Sequence, residues 1–346
     1  KIGDMLKAAF FLRDGVAQMT AVFKFLERYP TKKGTALAAI CAPFTDEKRP
    51  SALLKQIRQV VAGASLQRNP IIWFWLNAVI PWDIFFAHKF NKAKQELGDQ
   101  LPVWLDRLFE LEALNGLATF AYLNPSVTWP TVSETAVSAF TTTAIGHPLI
   151  PAAERICNEY TLAALGDLDI ITGSNMAGKS SFLRTLGINL AMAYAGGGVM
   201  AERLETRPFR LYTSMRLNDS VTSGYSFFYA EVRRLQALLA ALEDDQQPLF
   251  FLIDEIFRGT NNRERFIGSQ AYARALLGKN GVGLIATHDL ELARLADGND
   301  GVRNYHFRDD VIDGAMEFDY KLRDGACPTT NALKIMELAG LPVGSE

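Results

Sequence analysis

Apolar residues in the first third of the chain recur with the spacing of helices. The segments Leu53–Ala62, Ile71–Val79 and Val103–Tyr122 carry apolar side chains three and four positions apart and contain few glycines. The third segment has one continuous apolar stripe, which is typical of a seam between packed helices rather than of a ligand site. The stripe consists of Leu105, Leu108, Leu111, Leu114 and Leu117. This part of the chain is therefore predicted to be all-α.

The pattern changes after Asn124 and Pro125, where short apolar runs bounded by turn residues begin to alternate with helical stretches. This alternation is typical of an α/β domain built on a mainly parallel sheet. The paired runs are Asp169–Thr172 with Ser180–Tyr194, Leu249–Ile253 with Ile267–Leu277, and Gly283–Thr287 with Leu290–Ala296. We predict an all-α region over residues 1–125 and an α/β domain over residues 126–346. Near the end, Arg303–Arg308 and Met316–Leu322 flank an Asp-Gly turn and are predicted to pair as a hairpin.

The hydrophobic fraction, the net charge and the cysteines of the chain exclude several classes of protein. Of the 346 residues, 49% are hydrophobic and 21% are charged, which is enough apolar material for a core and unlike a disordered chain. The net charge of −2 excludes a histone-like or basic-tail protein but leaves room for a local DNA-binding patch. The cysteines are far apart and form no Cys-x-x-Cys pair, so reduced thiols in a cytoplasmic protein are expected. They are Cys41, Cys157 and Cys327.

The most apolar stretch, Ile71–Phe86, is too short and too interrupted to cross a membrane. It contains Asn77, Pro81 and Asp83, and a membrane-spanning helix needs roughly 20 apolar residues. We therefore predict a buried helix and no transmembrane segment. The tryptophans of the stretch leave a second interpretation open, in which it lies at a membrane surface or against a partner. They are Trp73, Trp75 and Trp82.

The strongest chemical signal is a phosphate loop. Residues 173–180 read G-S-N-M-A-G-K-S, which fits G-x-x-x-x-G-K-[ST], and they lie between a predicted strand and a predicted helix. Glycines in such a loop let backbone N–H groups turn toward phosphates, and the helix N-terminus favours negative charge. Lys179 is expected to reach the β- and γ-phosphates, and Ser180 to bind Mg²⁺. The predicted nucleotide-binding residues here are Gly173, Ser174, Asn175, Met176, Ala177, Gly178, Lys179, Ser180 and Ser181.

Two further motifs stand at the ends of predicted strands. The apolar run Leu249–Ile253 is followed by Asp254, which is expected to hold Mg²⁺, and by Glu255, which is expected to orient or deprotonate the attacking water. The run Gly283–Thr287 is followed by His288, which is placed to contact a γ-phosphate. A lone histidine is more often structural, but the order of the three motifs favours catalytic roles for Glu255 and His288.

Together these motifs resemble the ATPase domain of the MutS mismatch-repair family, which is part of the wider group of ABC-type ATPases. The loop is similar to the family's T-G-P-N-M-G-G-K-S-T, and the acidic strand end D-E-I-F-R-G-T is similar to D-E-I-G-R-G-T. The resemblance covers roughly residues 126–346. Its other segments are A-T-H at 286–288, G-H-P at 146–148, D-G-A at 324–326 and L-A-G-L-P at 338–342.

A signature segment lies between the loop and the acidic strand. Residues 223–231 read S-G-Y-S-F-F-Y-A-E and stand where the family has S-G-x-S-T-F-x-x-E. In that family the signature of one subunit enters the nucleotide site of the other, so the resemblance implies a homodimer with composite sites and a contact through Ser226. The sequence departs from the family pattern at Ser174, Tyr225, Phe227 and Phe257. We expect the three aromatic departures to alter contact between subunits and the rate of turnover rather than ATP binding.

The resemblance implies a P-loop ABC-type ATPase domain with a mainly parallel sheet, preceded by a lever-like helical region. The implied reaction is Mg²⁺-dependent hydrolysis of ATP, with ATP-driven closure of the dimer, and Tyr160 is a candidate for stacking on adenine by rough position. The implied function is maintenance of mismatched or branched DNA, with DNA-binding parts reduced or missing from this chain. The alternative is a nucleotide-switched module that docks on a protein or membrane without binding DNA. An ABC transporter subunit is disfavoured, because the signature L-S-G-G-Q is absent.

Overall fold

The chain divides into two units, Lys1–Thr119 and Phe120–Glu346. A computed structural model describes residues 19–46, 48–64, 74–75, 78, 82–174, 176–215, 227–244, 247–257, 261–312 and 315–328. Within these ranges, no helix is apolar over a length that would carry it across a lipid bilayer.

The first unit is built from helices around a small aromatic core. Helix α1 (Ala36–Thr45) is capped by the Thr35 hydroxyl, and it is followed by α2 (Pro50–Ala64) and by α3 (Trp82–Leu123), which continues into the second unit. The core contains Phe23, Phe44, Leu54 and Trp104, with Leu108 and Leu111 of the predicted stripe packed against it. The predicted helix Ile71–Val79 falls largely outside the described residues.

The second unit is a mixed α/β domain, which confirms the predicted fold class at this level. Its longer helices are α4 (Lys179–Tyr194), α5 (Phe227–Leu242) and α6 (Asn262–Leu276), and Leu290–Ala296 forms a 3₁₀ helix. Its strands are β1 (Thr131–Val132), β2 (Phe140–Ile145), β3 (Asn158–Leu162), β4 (Leu168–Thr172), β5 (Arg203–Thr206), β6 (Arg210–Ser214), β7 (Leu249–Asp254), β8 (Gly281–Ala286), β9 (Val302–His306), β10 (Asp309–Ile312), β11 (Ala315–Phe318) and β12 (Arg323–Asp324).

The six-stranded sheet has the order β12-β9-β4-β8-β7-β6, and its five strands from β9 to β6 are mutually parallel. Strands β4, β7 and β8 are buried along their whole length and are mostly apolar, although β4 contains the buried Asp169. In the register, Ile171 of β4 and Asp254 of β7 both pair with Ala286 of β8. The carboxyl ends of these three strands therefore lie side by side. A four-stranded sheet, β1-β5-β2-β3, forms separately.

Each face of the large sheet supports one hydrophobic core. On one face, α4 packs through Phe182 and Leu186 against β7 and β8 and against the inner side of the smaller sheet. On the other face, α5, α6 and the 3₁₀ helix pack against residues such as Ile170 and Phe251. The alternation of side chains along each strand divides the sheet between the two cores.

The predicted hairpin is wrong in its pairing. The segment that we expected to form its first strand instead contributes β9, which pairs in parallel with β4 inside the large sheet. The hairpin that does form joins β10 to β11, a few residues further along the chain. The reason is burial: Val302 is part of the core, and Arg303 forms an ion pair with the fully buried Asp169.

A buried polar network joins three strands just before the phosphate loop. The carboxylate of Asp169 on β4 accepts a hydrogen bond from the Tyr160 hydroxyl at 2.6 Å, and the guanidinium of Arg303 donates to both of its oxygens at 3.1 and 3.2 Å. Burial raises the pKa of Asp169 to about 6 from its usual value of 3.8, although Arg303 and Tyr160 lower it. The network thus satisfies a charge that would otherwise be costly to bury.

We predict that Arg303→Met lowers the free energy of unfolding most at high pH. Because the folded-state pKa of Asp169 lies above its usual value, the folded state binds the proton more tightly, and stability falls as pH rises from about 4 to about 6. Without Arg303 this pKa rises further, so the loss should be about 2 kcal/mol at pH 8 and clearly less at pH 5. Urea unfolding of the variant and wild type at both pH values measures the difference.

The control is the double variant Asp169→Asn with Arg303→Met, which removes the titrating carboxylate. Its own free energy of unfolding should vary less between pH 5 and pH 8 than that of the single variant. An equal loss for Arg303→Met at pH 5 and pH 8 would contradict the assignment of the effect to Asp169.

Candidate nucleotide site

The phosphate loop, residues 173–178, connects β4 to α4 through two glycines in left-handed conformations. Gly173 has φ of 137° and Gly178 has φ of 113°, which side chains with a Cβ rarely adopt. A Cβ at Gly173 would lie 2.4 Å from the carbonyl oxygen of Phe307. The loop can therefore approach the backbone of Phe307, which directly follows β9, only with glycine at this position. Asn175, predicted to belong to the loop, lies outside the described residues.

Lys179, the first residue of α4, folds its ammonium group back into the loop. Its Nζ donates to the carbonyl oxygens of Gly173 at 2.6 Å and Ser174 at 2.7 Å, and the side chain is almost fully buried. Ala177 is buried, whereas Met176 is 70% exposed. The hydroxyl oxygen of Ser174 is also buried and has no hydrogen-bond partner within the described part of the chain. The structure thus places a cation at the centre of the loop.

Ser180 and Asp254 meet at the start of α4. The Ser180 hydroxyl donates to Oδ1 of Asp254 at 2.9 Å, although the two residues are 74 positions apart in the sequence. Their oxygens are the hard ligands that Mg²⁺ prefers, and Mg²⁺ usually completes its shell with water and phosphate oxygens. These residues fit the predicted metal position, and their proximity follows from the neighbouring ends of β4 and β7.

Glu255 and His288 form a second pair at the same edge of the sheet. Oε1 of Glu255 lies 3.1 Å from Nδ1 of His288, and the two side chains are partly exposed. The Glu255 backbone N–H donates to the carbonyl oxygen of Ala286, which fixes the start of this segment to β8. Its φ of 64° is uncommon for a non-glycine residue and is often found at functional sites. Both carboxylates of the predicted acidic pair therefore reach one edge of the sheet.

A cavity of about 470 Å³ opens beside the phosphate loop. Its lining includes Gly178 and Ser181 at the loop and the start of α4, together with Ile156, Asn158 and Tyr320. It combines apolar walls with a few polar groups, as small-molecule sites commonly do. The predicted Ser181 therefore faces this cavity rather than the pair formed by Ser180 and Asp254.

Tyr320 is a cavity residue that our sequence analysis did not identify. It is 44% exposed, and a Cβ at Gly178 would lie 3.0 Å from its ring, so the tyrosine stands next to the loop. Asn158 holds it there, because the amide of Asn158 donates to the Tyr320 carbonyl oxygen and accepts from the N–H of Leu322. No motif marks this tyrosine. The one available signal was its place shortly before the D-G-A segment.

The predicted adenine-stacking role of Tyr160 does not fit its position. Tyr160 is only 3% exposed, and its ring packs against Phe140, Phe182 and Tyr305 inside the domain. Its hydroxyl is bound to Asp169, and burial raises its pKa well above the usual value. A ring enclosed in this way has no free face for a base.

Several residues of the predicted motifs lie outside the part of the chain that the structure describes. Ser226 and Tyr225 lie outside the described residues, as do residues 258–260 and the closing segment 338–342. Helix α5 begins at Phe227, directly after the signature serine in the sequence. The proposed contact with a second subunit therefore remains a prediction.

The sequence of this domain also matches a known protein family. The family model described as MutS domain V matches residues 169–344, which include the phosphate loop, the acidic strand end and His288. The chain belongs to the MutS family. This confirms the resemblance that the sequence motifs indicated.

Two curated relatives agree with this assignment. The chain is 32% identical over 200 residues to the DNA mismatch repair protein MutS of Natronomonas pharaonis, an alignment that covers 57% of this chain and 23% of that protein. It is 35% identical over 197 residues to Endonuclease MutS2 of Thermus thermophilus, covering 57% of this chain and 26% of the relative. The matched part thus spans about a quarter of the length of each relative.

The close approach at Gly173 generates a stability prediction. We expect Gly173→Ala to lower the free energy of unfolding by about 2–4 kcal/mol, because the new methyl group combines a left-handed φ with a clash against Phe307. The matched control is Gly196→Ala, where φ is 78° but no atom lies within 4 Å of the added Cβ. That variant should lose only about 1 kcal/mol. Equal losses in chemical denaturation would show that the close approach has no energetic effect.

Proposed function

We propose that this MutS-family chain is a Mg²⁺-dependent ATPase whose nucleotide state drives closure of a dimer in DNA maintenance. The observation that carries the proposal is the 2.9 Å contact between Ser180 and Asp254. It joins the end of the phosphate loop to the end of the acidic strand, which are the two elements that phosphoryl-transfer sites use to hold Mg²⁺. Glu255 and His288 lie at the same edge of the sheet.

Each residue of the candidate site has its own role in the proposed hydrolysis of ATP. Lys179 and the backbone N–H groups of the phosphate loop would bind the phosphates, in keeping with the buried ammonium group at the loop centre. Ser180 and Asp254 would hold Mg²⁺, which neutralises charge on the phosphate oxygens when it is bound. Glu255 would orient the attacking water and accept its proton, and His288 lies 3.1 Å from this carboxylate and could fix it in place. Contact of His288 with the γ-phosphate is the further role that the sequence motif suggests.

The cavity beside the loop is suited to the nucleoside part of ATP. It begins at Gly178 and Ser181, so a molecule whose phosphates occupy the loop would extend directly into it. Tyr320 and Ile156 are both exposed there, and an aromatic ring beside an apolar side chain can cover the face of a base. In this arrangement Tyr320 takes the stacking role that the sequence assigned to Tyr160.

Dimer closure is the part of the proposal that rests on the family pattern. A second copy of the chain would present its Ser226 to the phosphates bound at the first copy, so that two composite sites form. ATP can drive such closure only if it binds the closed state more tightly than the open state. DNA as the partner of the closed dimer is supported by the name of the mismatch repair relative.

The alternative is a docking module that does not bind DNA. It is favoured by exposed apolar side chains in the first unit: Phe74, Trp75, Ile84 and Phe85 are each between 47% and 69% exposed. Such residues are suited to a partner surface. Nucleotide chemistry would be the same in both cases, so binding to DNA decides between them.

We predict that Lys179→Ala removes ATP binding, whereas Glu255→Gln retains it and lowers kcat by about 10²-fold or more, because only the proton-accepting group is lost. Equilibrium binding of ATP with Mg²⁺ and steady-state phosphate release measure the two effects. Glu243→Gln is the matched control, since this carboxylate is exposed and pairs with Lys279, which precedes the start of β8, whereas the site lies at the end of that strand. Hydrolysis by Glu255→Gln at the wild-type rate would refute the role of Glu255.

We predict that Glu255→Gln with ATP and Mg²⁺ binds mismatched or branched DNA more tightly than matched duplex. Affinity should fall as salt concentration rises, because contacts to DNA phosphates release counterions. Binding is measured by fluorescence anisotropy across a salt series, with Lys179→Ala as the control that lacks the nucleotide-bound state. If the trapped protein dimerises but binds none of these DNAs at low salt, the docking alternative is favoured.

A further inference from the structure

The backbone that follows Asp254 is held in an unusual conformation. Glu255 has φ of 64° and Phe257 has φ of 56°, both in the left-handed region. A bulky side chain rarely adopts this region, and it persists there only when the surroundings enforce it. The resembling family motif has glycine in place of Phe257. This segment of the present chain must therefore be fixed by contacts of its own.

The first such contact comes from helix α5. Oε1 of Glu231 accepts a hydrogen bond from the backbone N–H of Phe257 at 2.8 Å, across 26 positions in the sequence. The side chain of Glu231 is only 4% exposed. A glutamate is almost never buried to this extent unless its carboxylate has partners, and here one of them is the strained backbone.

The second contact is made by the ring of Phe257. Its centroid lies 6.2 Å from that of Phe228 on α5 and 6.3 Å from that of Tyr272 on α6. Gly268 on α6 makes room for the ring, because a Cβ there would lie 3.0 and 3.1 Å from two ring carbons. The ring is thus enclosed between the two helices on that face of the sheet.

The strained segment is therefore fixed at both ends. At one end the N–H of Glu255 donates to Ala286 of β8, and at the other the N–H of Phe257 donates to Glu231. Only Ile256, whose side chain is buried in the core, lies between them. The backbone that carries the Glu255 side chain is thus attached both to β8 and to α5.

We infer that Glu231 and Phe257 are positioning residues that hold the carboxylate of Glu255 in place for hydrolysis. The inference rests on the proposed ATPase function and deepens it. Helix α5 follows the signature segment directly in the sequence, so a displacement of α5 is transmitted through the bond between Glu231 and Phe257 to the residue that handles the water. The packing of the Phe257 ring against Phe228 and Tyr272 restrains the same segment from a second side.

The first test compares Glu231→Ala with Glu231→Gln. Alanine leaves the N–H of Phe257 without its acceptor, so kcat for ATP should fall by about tenfold or more while KM changes by less than about threefold, as expected when a catalytic group is misplaced. Glutamine keeps an oxygen that can accept the bond and should restore kcat to within about threefold of wild type. Equal losses in both variants, or a change confined to KM, would overturn the inference.

A second variant disturbs Phe257 from another helix, so that the result does not depend on whether Glu231→Ala has a general folding defect. Gly268→Ala touches no proposed ligand, and its added methyl group presses on the Phe257 ring, so kcat should fall severalfold with ATP binding retained. Hydrogen exchange in the peptide covering residues 250–257 should speed up in Glu231→Ala and Gly268→Ala but not in Glu231→Gln. Unchanged exchange in all three variants would contradict the inference.

Hydrolysis by the wild type and exchange in Glu231→Ala together distinguish failure of the proposed function from failure of the positioning role. If the wild-type protein fails to hydrolyse ATP, the proposed function is wrong, and the positioning of Glu255 for hydrolysis falls with it. If the wild type hydrolyses ATP but Glu231→Ala has normal kcat and faster exchange, the function stands and the positioning role alone is wrong.

Discussion

The parallel register of β4, β8 and β7 is the constraint on which the candidate site depends. Because Ile171 and Asp254 both pair with Ala286, the strand ends that precede the phosphate loop, the acidic pair and His288 are aligned to within a residue. A slip of one residue in any strand would turn its core-facing side chains to the opposite face, so the two hydrophobic cores enforce the alignment. The geometry of the site is thus maintained by apolar packing far larger than the site itself.

The same alignment allows the site to keep conformations that are unfavourable by themselves. Left-handed backbone at Glu255 and Phe257 costs on the order of 1–3 kcal/mol per residue, and each is offset by hydrogen bonds and ring packing from neighbouring elements. At Gly173 and Gly178 the cost is avoided by removing the side chain. Left-handed backbone is therefore accommodated in two ways at this edge of the sheet. Gly173 has no side chain where the loop passes Phe307, and Phe257 is held by contacts with α5.

Sequence reasoning succeeded where the chemistry is local. The loop between β4 and α4 was predictable because its glycines, lysine and serine lie within eight consecutive residues, and the core strands because burial on both faces makes them mostly apolar. It failed where the answer depends on distant partners. The pairing of β9 follows from the ion pair between Arg303 and Asp169, the burial of Tyr160 from rings on three other elements, and the exposure of Tyr320 from its contacts with Asn158. No local pattern encodes these contacts.

The network of Tyr160, Asp169 and Arg303 also limits how this domain can evolve. Replacing Asp169 leaves a partly buried guanidinium and a buried hydroxyl without their acceptor, and replacing Arg303 leaves a buried carboxylate without its cation. Each single replacement therefore gives a less stable protein, even if a variant with apolar residues at all three positions would be well packed. The three positions therefore form one epistatic unit, in which a tolerated change at one position requires changes at the other two. One of them, Asp169, lies four residues before the glycine-rich loop, so this coupling extends to the edge of the candidate site.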